Sequence, residues 1–168
     1  MTTSLAFDDS FAMIQVSISR QTLSFKNASL SMEYSVSTAS KGAGQLSGSE
    51  CTPLGEHYVR AKIGKGEPER AVYVGRRPTG EIYSDSLALA YPKRDWILTR
   101  IIWLCGTEIG VNRLGSVDTM RRYIYIHGTP DSEPMGVPRS HGCIRMRNND
   151  IIQLFNYISV GTPVSIQS

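Results

Sequence analysis

From Ala12 onward the chain alternates apolar and polar positions, with Ile14, Val16 and Ile18 on one side and Gln15, Ser17 and Ser19 on the other. A period of two marks a half-buried β-strand, because successive side chains of extended backbone point to opposite faces. A turn at Arg20-Gln21 leads to Leu23 and Phe25, Asn27 and Ala28 break the run, and Leu30, Met32, Tyr34 and Val36 alternate again. The opening stretch is therefore predicted to be a meander of hairpins. Ser40 to Cys51, rich in Gly and Ser, reads as a loop, and Thr52-Pro53-Leu54-Gly55 as a turn into a strand over Glu56 to Ile63. Gly64 to Glu69 is a second loop and Ala71 to Val74 a short strand. Trp96 to Leu104 is read as a longer buried strand, although its periodicity alone also fits a helix, and Tyr123 to Ile126 as another strand. Asn148, Asn149 or Asp150 is expected to cap a helix that carries Ile151, Ile152, Leu154, Phe155 and Ile158 and ends near Gly161. Pro163 to Ile166 returns to strand character. The expectation is a mainly β fold with one or two helices.

Composition narrows the class of protein. At 168 residues, 40% hydrophobic and 20% charged, the chain is expected to form one globular domain over 1–168 rather than a disordered or fibrous segment. The net charge of +3 is small, and basic residues come in scattered pairs such as Arg76-Arg77 and Arg121-Arg122, which argues against nucleic acid as a partner. Arginine forks of this kind suit a small carboxylate-bearing substrate. Cys51, Cys105 and Cys143 are odd in number, far apart and without a CxxC pair, so neither a disulfide framework nor a structural zinc site is expected. Met1 to Gln15 holds Asp8 and Asp9, with no basic leader region and no apolar run long enough for a membrane. The expected location is cytoplasmic, or periplasmic if a signal has been removed, with no membrane partner.

Candidate chemistry is concentrated between Tyr123 and Asn148. There Ile126-His127-Gly128-Thr129 is followed by a Pro- and Gly-containing loop and then by Ser140-His141-Gly142-Cys143-Ile144-Arg145-Met146. An imidazole near a thiol allows a thiolate at neutral pH, and the thiolate is the form that attacks a carbonyl. Gly142 before the cysteine removes side-chain bulk, which lets backbone N–H groups approach a tetrahedral oxyanion. His127, His141 and Cys143 also have the chemistry of three zinc ligands with an open fourth position, a reading that loss of activity to a chelator would support. Cys51 and Cys105 lack a neighbouring histidine and are read as core or surface thiols. His57 lies inside a predicted strand and is read as structural.

These residues resemble the L,D-transpeptidase catalytic domain, also called the YkuD domain. Its pattern is a histidine at a strand end, a loop, and Ser/Thr-x-Gly-Cys followed by Arg or Asn, matched here by His127, Ser140, His141, Gly142, Cys143 and Arg145. The Thr52-Pro53-Leu54-Gly55 turn and Gly161 to Val164 also match, so the resemblance covers nearly the whole chain. It implies a YkuD-like β-sandwich, with Cys143 as nucleophile and His127 as its base. The Gly128 carbonyl would orient the imidazole at a position where some members carry serine. Ser140, His141 and Arg145 would line the pocket, Arg145 holding a substrate carboxylate or bracing the loop, and the Gly142 and Cys143 N–H groups would form an oxyanion hole. No metal and no cofactor are implied. The implied substrate is a murein tetrapeptide or related stem peptide, attacked between the L-centre of a diamino acid and a terminal D-alanine. Water as acceptor gives an L,D-carboxypeptidase; an amine gives an L,D-transpeptidase that cross-links or exchanges D-amino acids. Carbapenem-type compounds are the implied acylating inhibitors. A bare, leaderless domain favours the carboxypeptidase of cytoplasmic peptidoglycan recycling. A non-catalytic muropeptide-binding module is the reading from another class, and the retention of both His127 and Cys143 speaks against it.

Overall fold

The computed structural model describes residues 11–168; residues 1–10, which carry part of the leader reading, lie outside the described residues. Strands β1 (Met13–Ser17), β2 (Thr22–Lys26) and β3 (Ser31–Ser37) form the expected meander. β4 (Gly55–Ile63), β5 (Ala71–Val74) and β6 (Arg77–Ile82) follow, then helix α1 (Asp85–Ala90) and β7 (Ile97–Gly106). β8 (Tyr125–Gly128), β9 (Ile144–Met146), helix α2 (Asn148–Tyr157) and β10 (Pro163–Gln167) complete the chain. The strands run in the order β4-β10-β1-β2-β3-β9-β8-β7-β5-β6, and β4 also pairs with β7. That extra pairing closes eight of the strands on themselves, leaving β5 and β6 as an appended hairpin. The expected mainly β sandwich with two helices is thus observed, in a closed form.

The inward faces of this closed sheet explain the alternation in the sequence. Ile14, Val16, Leu23, Phe25 and Val36 point inward and meet Ile102, Leu104, Ile126 and Ile144. Helix α2 lays Ile151, Leu154 and Phe155 against the same core. Each such side chain contributes about 1.5–3 kcal/mol by leaving water.

Several local expectations are corrected. The strand read over Trp96 to Leu104 is observed at Ile97–Gly106, and only its helical alternative falls away. Tyr123 adopts φ 55 and so lies outside the strand expected to begin there; β8 starts at Tyr125. The cap position of α2 is Arg147, with no side-chain cap bond. Asn148 is instead buried, its amide donating to the Thr129 carbonyl and its oxygen accepting from the Thr99 hydroxyl. The helix stops at Tyr157, before Gly161, because the Ile158 backbone is extended. β6, α1 and β9 had no readable signal: β6 is an exposed edge, α1 buries nothing, and β9 is three residues long.

Candidate active site

The parallel pair β8–β9 sets the site. Its register places Ile126 beside Ile144 and His127 beside Arg145. Side chains alternate across a strand, so Ile126, Ile144 and Met146 enter the core while Tyr125, His127 and Arg145 share the opposite face. Stepping the register back one position puts Cys143 beside Tyr125 and diagonal to His127, and the Tyr125 N–H donates to Cys143 Sγ at 3.3 Å. His127, Ser140, His141, Cys143 and Arg145 all line one open cavity of about 520 Å³. The sequence-predicted residues thus converge on a single face.

Each carries a defined set of contacts. His127 is buried, and its Nδ1 pairs with the Gly128 carbonyl at 2.6 Å. A carbonyl only accepts, so Nδ1 carries the proton and Nε2 keeps its lone pair. Burial lowers the imidazole pKa below its ordinary value, which favours this neutral form. Gly128 has no room for a side chain, because a Cβ there would meet the Asn148 amide oxygen at 2.5 Å and the Leu98 carbonyl at 2.6 Å. The space beside Gly128 is taken by the hydrogen-bonded Asn148–Thr99 pair.

Cys143 is half-buried, and desolvation pushes its thiol up to about 12, although the Tyr125 N–H, Arg145 and Arg122 all act in the opposite direction. Its S–H donates to the Tyr123 carbonyl at 3.4 Å. Burial therefore opposes the thiolate that a neighbouring imidazole allows, against the pull of the nearby N–H and guanidinium groups.

The turn before the cysteine is braced from three sides. Ser140 Oγ donates to the Cys143 carbonyl and accepts the Gly142 N–H. Thr52 donates its hydroxyl to the Gly142 carbonyl at 2.9 Å and accepts the Ala39 N–H. Gly142 itself sits at φ 129, with Ile124 and the Cys51 carbonyl close to where a Cβ would lie. The Gly142 N–H, expected to join an oxyanion hole, donates to Ser140 Oγ at 3.2 Å.

Arg145 spans Asp95 and Glu133, each at 3.4 Å, and donates to the Arg139 carbonyl, so of its two expected roles the bracing one is occupied. Arg147 ties down the same 129–139 loop through the Asp131 and Glu133 carbonyls. His141 is exposed and lies 4.0 Å from Asp95. Among the described residues no three His, Cys, Asp or Glu side chains are grouped to hold a metal, so the zinc reading of His127, His141 and Cys143 has no geometric support. His57 is buried with both ring nitrogens engaged, by the Gly55 carbonyl and the Thr119 hydroxyl. Cys105 is buried and Cys51 half-buried.

Sequence reasoning missed Arg76, Asp95, Arg122, Tyr123 and Tyr125, which line the same cavity. Tyr125 was findable: once His127 is placed on a strand, a period of two puts residue 125 on the same face. The others arrive from loops whose folding back has no local signature.

A closed β-sandwich that carries a cysteine and a histidine on one face of adjacent strands defines the class of protein. The family model of the L,D-transpeptidase catalytic domain (YkuD) matches residues 12–166, and the chain belongs to that family. It is 49% identical over 45 residues to the probable L,D-transpeptidase ErfK/SrfK of Salmonella typhimurium, covering 27% of this chain and 15% of that protein. It is 51% identical over 41 residues to the putative L,D-transpeptidase YqjB of Bacillus subtilis, covering 24% and 23%. Each match thus spans less than a quarter of the relative's own length. Among solved structures, L,D-transpeptidase 3 from Mycobacterium tuberculosis in complex with a faropenem-derived adduct is similar with a TM-score of 0.57 and 17% identity, over 94% of this chain and 60% of that one. An L,D-transpeptidase from Mycobacterium smegmatis gives a TM-score of 0.54 at 16% identity, over 94% and 58%.

Proposed function

We propose that this chain is a cysteine acyl-transfer enzyme acting on the stem peptides of peptidoglycan, and that it works as an L,D-carboxypeptidase releasing the terminal D-alanine from a murein tetrapeptide. The carrying observation is that Cys143 and His127 are diagonal neighbours on one face of β8–β9, with Nδ1 tied to the Gly128 carbonyl so that Nε2 is the free base. Because the resting sulfur is protonated, attack begins when the S–H turns from the Tyr123 carbonyl to Nε2. The sulfur then bonds to the carbonyl carbon of the diamino acid's L-centre. The imidazolium returns the proton to the departing D-alanine nitrogen, leaving a thioester. Water, deprotonated by Nε2, breaks the thioester and restores the thiol.

The cavity is open to solvent, which supports water as the acceptor, and the proposed hydrolysis would serve cytoplasmic recycling of murein peptides. The names of the relatives favour the transferase outcome instead, in which an amine replaces water. The faropenem-derived adduct on the mycobacterial structure supports a β-lactam as an acylating probe of Cys143. Mass spectrometry of the protein incubated with murein tetrapeptide separates the outcomes. Tripeptide and free D-alanine are expected; cross-linked dimer or D-amino-acid exchange would replace the hydrolase by the transferase. Cys143→Ala is expected to abolish either product and the β-lactam adduct while leaving the fold intact.

A further inference from the structure

Three guanidinium groups line the cavity at Cys143, and their surroundings differ. Arg145 is neutralised by Asp95 and Glu133. Arg122 gives its donors to the carbonyls of Gly44, Gln45 and Cys51 and to the Ser49 hydroxyl. Arg76 is held by neutral groups: it donates to the Tyr125 hydroxyl at 2.9 Å and stacks 4.6 Å from the Trp103 ring centre and 4.7 Å from that of Tyr123. Ring faces fix a guanidinium plane without consuming its edge, and an arginine has five N–H donors.

The backbone is adapted to this placement. Gly75 and Arg76 form the two-residue loop between β5 and β6, with φ 56 and 63, both left-handed. Such a loop matches the twist of a tight hairpin, yet arginine is disfavoured at positive φ. The aromatic stack and the Tyr125 hydroxyl hold it there. Tyr125 also measures the distance to the chemistry, because its N–H meets Cys143 Sγ and its hydroxyl meets Arg76. The cation and the sulfur therefore lie at the two ends of one tyrosine, lining the same cavity.

We propose that Arg76 is a specificity-determining residue that binds the free α-carboxylate of the departing C-terminal amino acid, which restricts the enzyme to peptides cleaved one residue from their end. The proposal rests on the reading of Cys143 as the acylated nucleophile. A planar fork presenting parallel N–H groups fits a carboxylate and gains little from a neutral carboxamide.

The test uses the full chain with two tetrapeptides identical except for a free acid or an amide at the C-terminus. The unmodified protein is expected to prefer the acid by roughly 10- to 100-fold in kcat/KM, the worth of one charge-assisted contact. Arg76→Met should collapse that ratio towards unity, mainly through KM for the acid, and Arg76→Lys should restore part of it. Labelling of Cys143 by iodoacetamide, a small neutral probe, reads the integrity of the site in each variant. A full acid preference surviving in Arg76→Met would overturn the proposal, as would the absence of any preference in the unmodified protein. Equal losses on both peptides with slowed iodoacetamide labelling would reduce Arg76 to a hairpin support and overturn it too. If the unmodified protein cleaves neither peptide, releasing neither D-alanine nor D-alaninamide, the acyl-transfer reading fails first and takes this proposal with it.

Discussion

The proton of Cys143 governs when the site is active. Desolvation holds the thiol up to about 12 and burial holds His127 below its ordinary value, so the pair rests as thiol and neutral imidazole. Activity then follows the fraction of neutral His127, and that fraction falls only when pH drops below the depressed imidazole value. The acid limb of kcat/KM against pH is expected to have its midpoint below about 6.5, the ordinary imidazole value, with a plateau through the neutral range. A midpoint near or above about 8.5, where an ordinary thiol titrates, would show instead that a pre-formed thiolate controls the rate. Gly128 gives a second test at this scale. Gly128→Ala drives a Cβ against the Leu98 carbonyl and the Asn148 amide, and backbone cannot yield as a side-chain tip does. A loss of about 1–3 kcal/mol in urea unfolding is expected, together with a lower kcat as the imidazole loses its orientation.

Between elements, the turn that presents Cys143 hangs on a residue far away in sequence. The Thr52 hydroxyl joins the Ala39 N–H to the Gly142 carbonyl and is fully buried. Thr52→Val keeps the shape but leaves both partners unsatisfied, so a loss of about 1–3 kcal/mol is expected with reduced kcat, read by urea unfolding and by D-alanine release. Unchanged turnover would mean that Ser140 alone holds the turn. The Thr-Pro-x-Gly turn was legible as a turn because proline and glycine constrain φ locally, whereas the task of its hydroxyl was not, since that depends on which strands become neighbours. His127 and Cys143 were legible for the opposite reason: chemistry demands those residue types at that spacing whatever the surroundings. Asn148 shows local preference being overridden. Its type and position suit a helix cap, yet the fold spends its amide behind Gly128, where it joins Thr99 and Thr129. Thr99 itself sits at φ 74, a strained conformation for a β-branched residue, at the irregularity where β7 and β8 shift register. Arg76 and Asp95 reach the cavity from the turn of the β5–β6 hairpin and the segment after α1, and neither β6 nor α1 had an apolar pattern to announce it.

The closed sheet as a whole couples this chemistry to stability through two buried histidines. His57 on β4 and His127 on β8 both sit in the low-dielectric interior, and burial depresses both pKa values below the ordinary 6.5. The folded chain therefore binds fewer protons than the unfolded chain at mildly acidic pH. Stability from these groups is fully present above about 6.5 and is lost as pH falls towards the depressed folded values, with a slope of up to about 1.4 kcal/mol per pH unit for each group. Cys143 acts at the other end: its folded pKa is raised, so its contribution is complete below the ordinary 9.0 and is lost as pH climbs towards about 12. The expected outcome is a stability dome centred between these limits, measured by urea unfolding from about pH 5 to about pH 10. His57→Gln should make the acid arm shallower, leaving the His127 part of it, without altering the alkaline one, since His57 bonds Gly55 and Thr119 and takes no part in the cavity. An acid arm of unchanged slope in that variant would place the titration on His127 or on carboxylates instead, and a flat alkaline arm would mean that water reaches the sulfur far more freely than its packing against the cluster that holds Tyr125 implies.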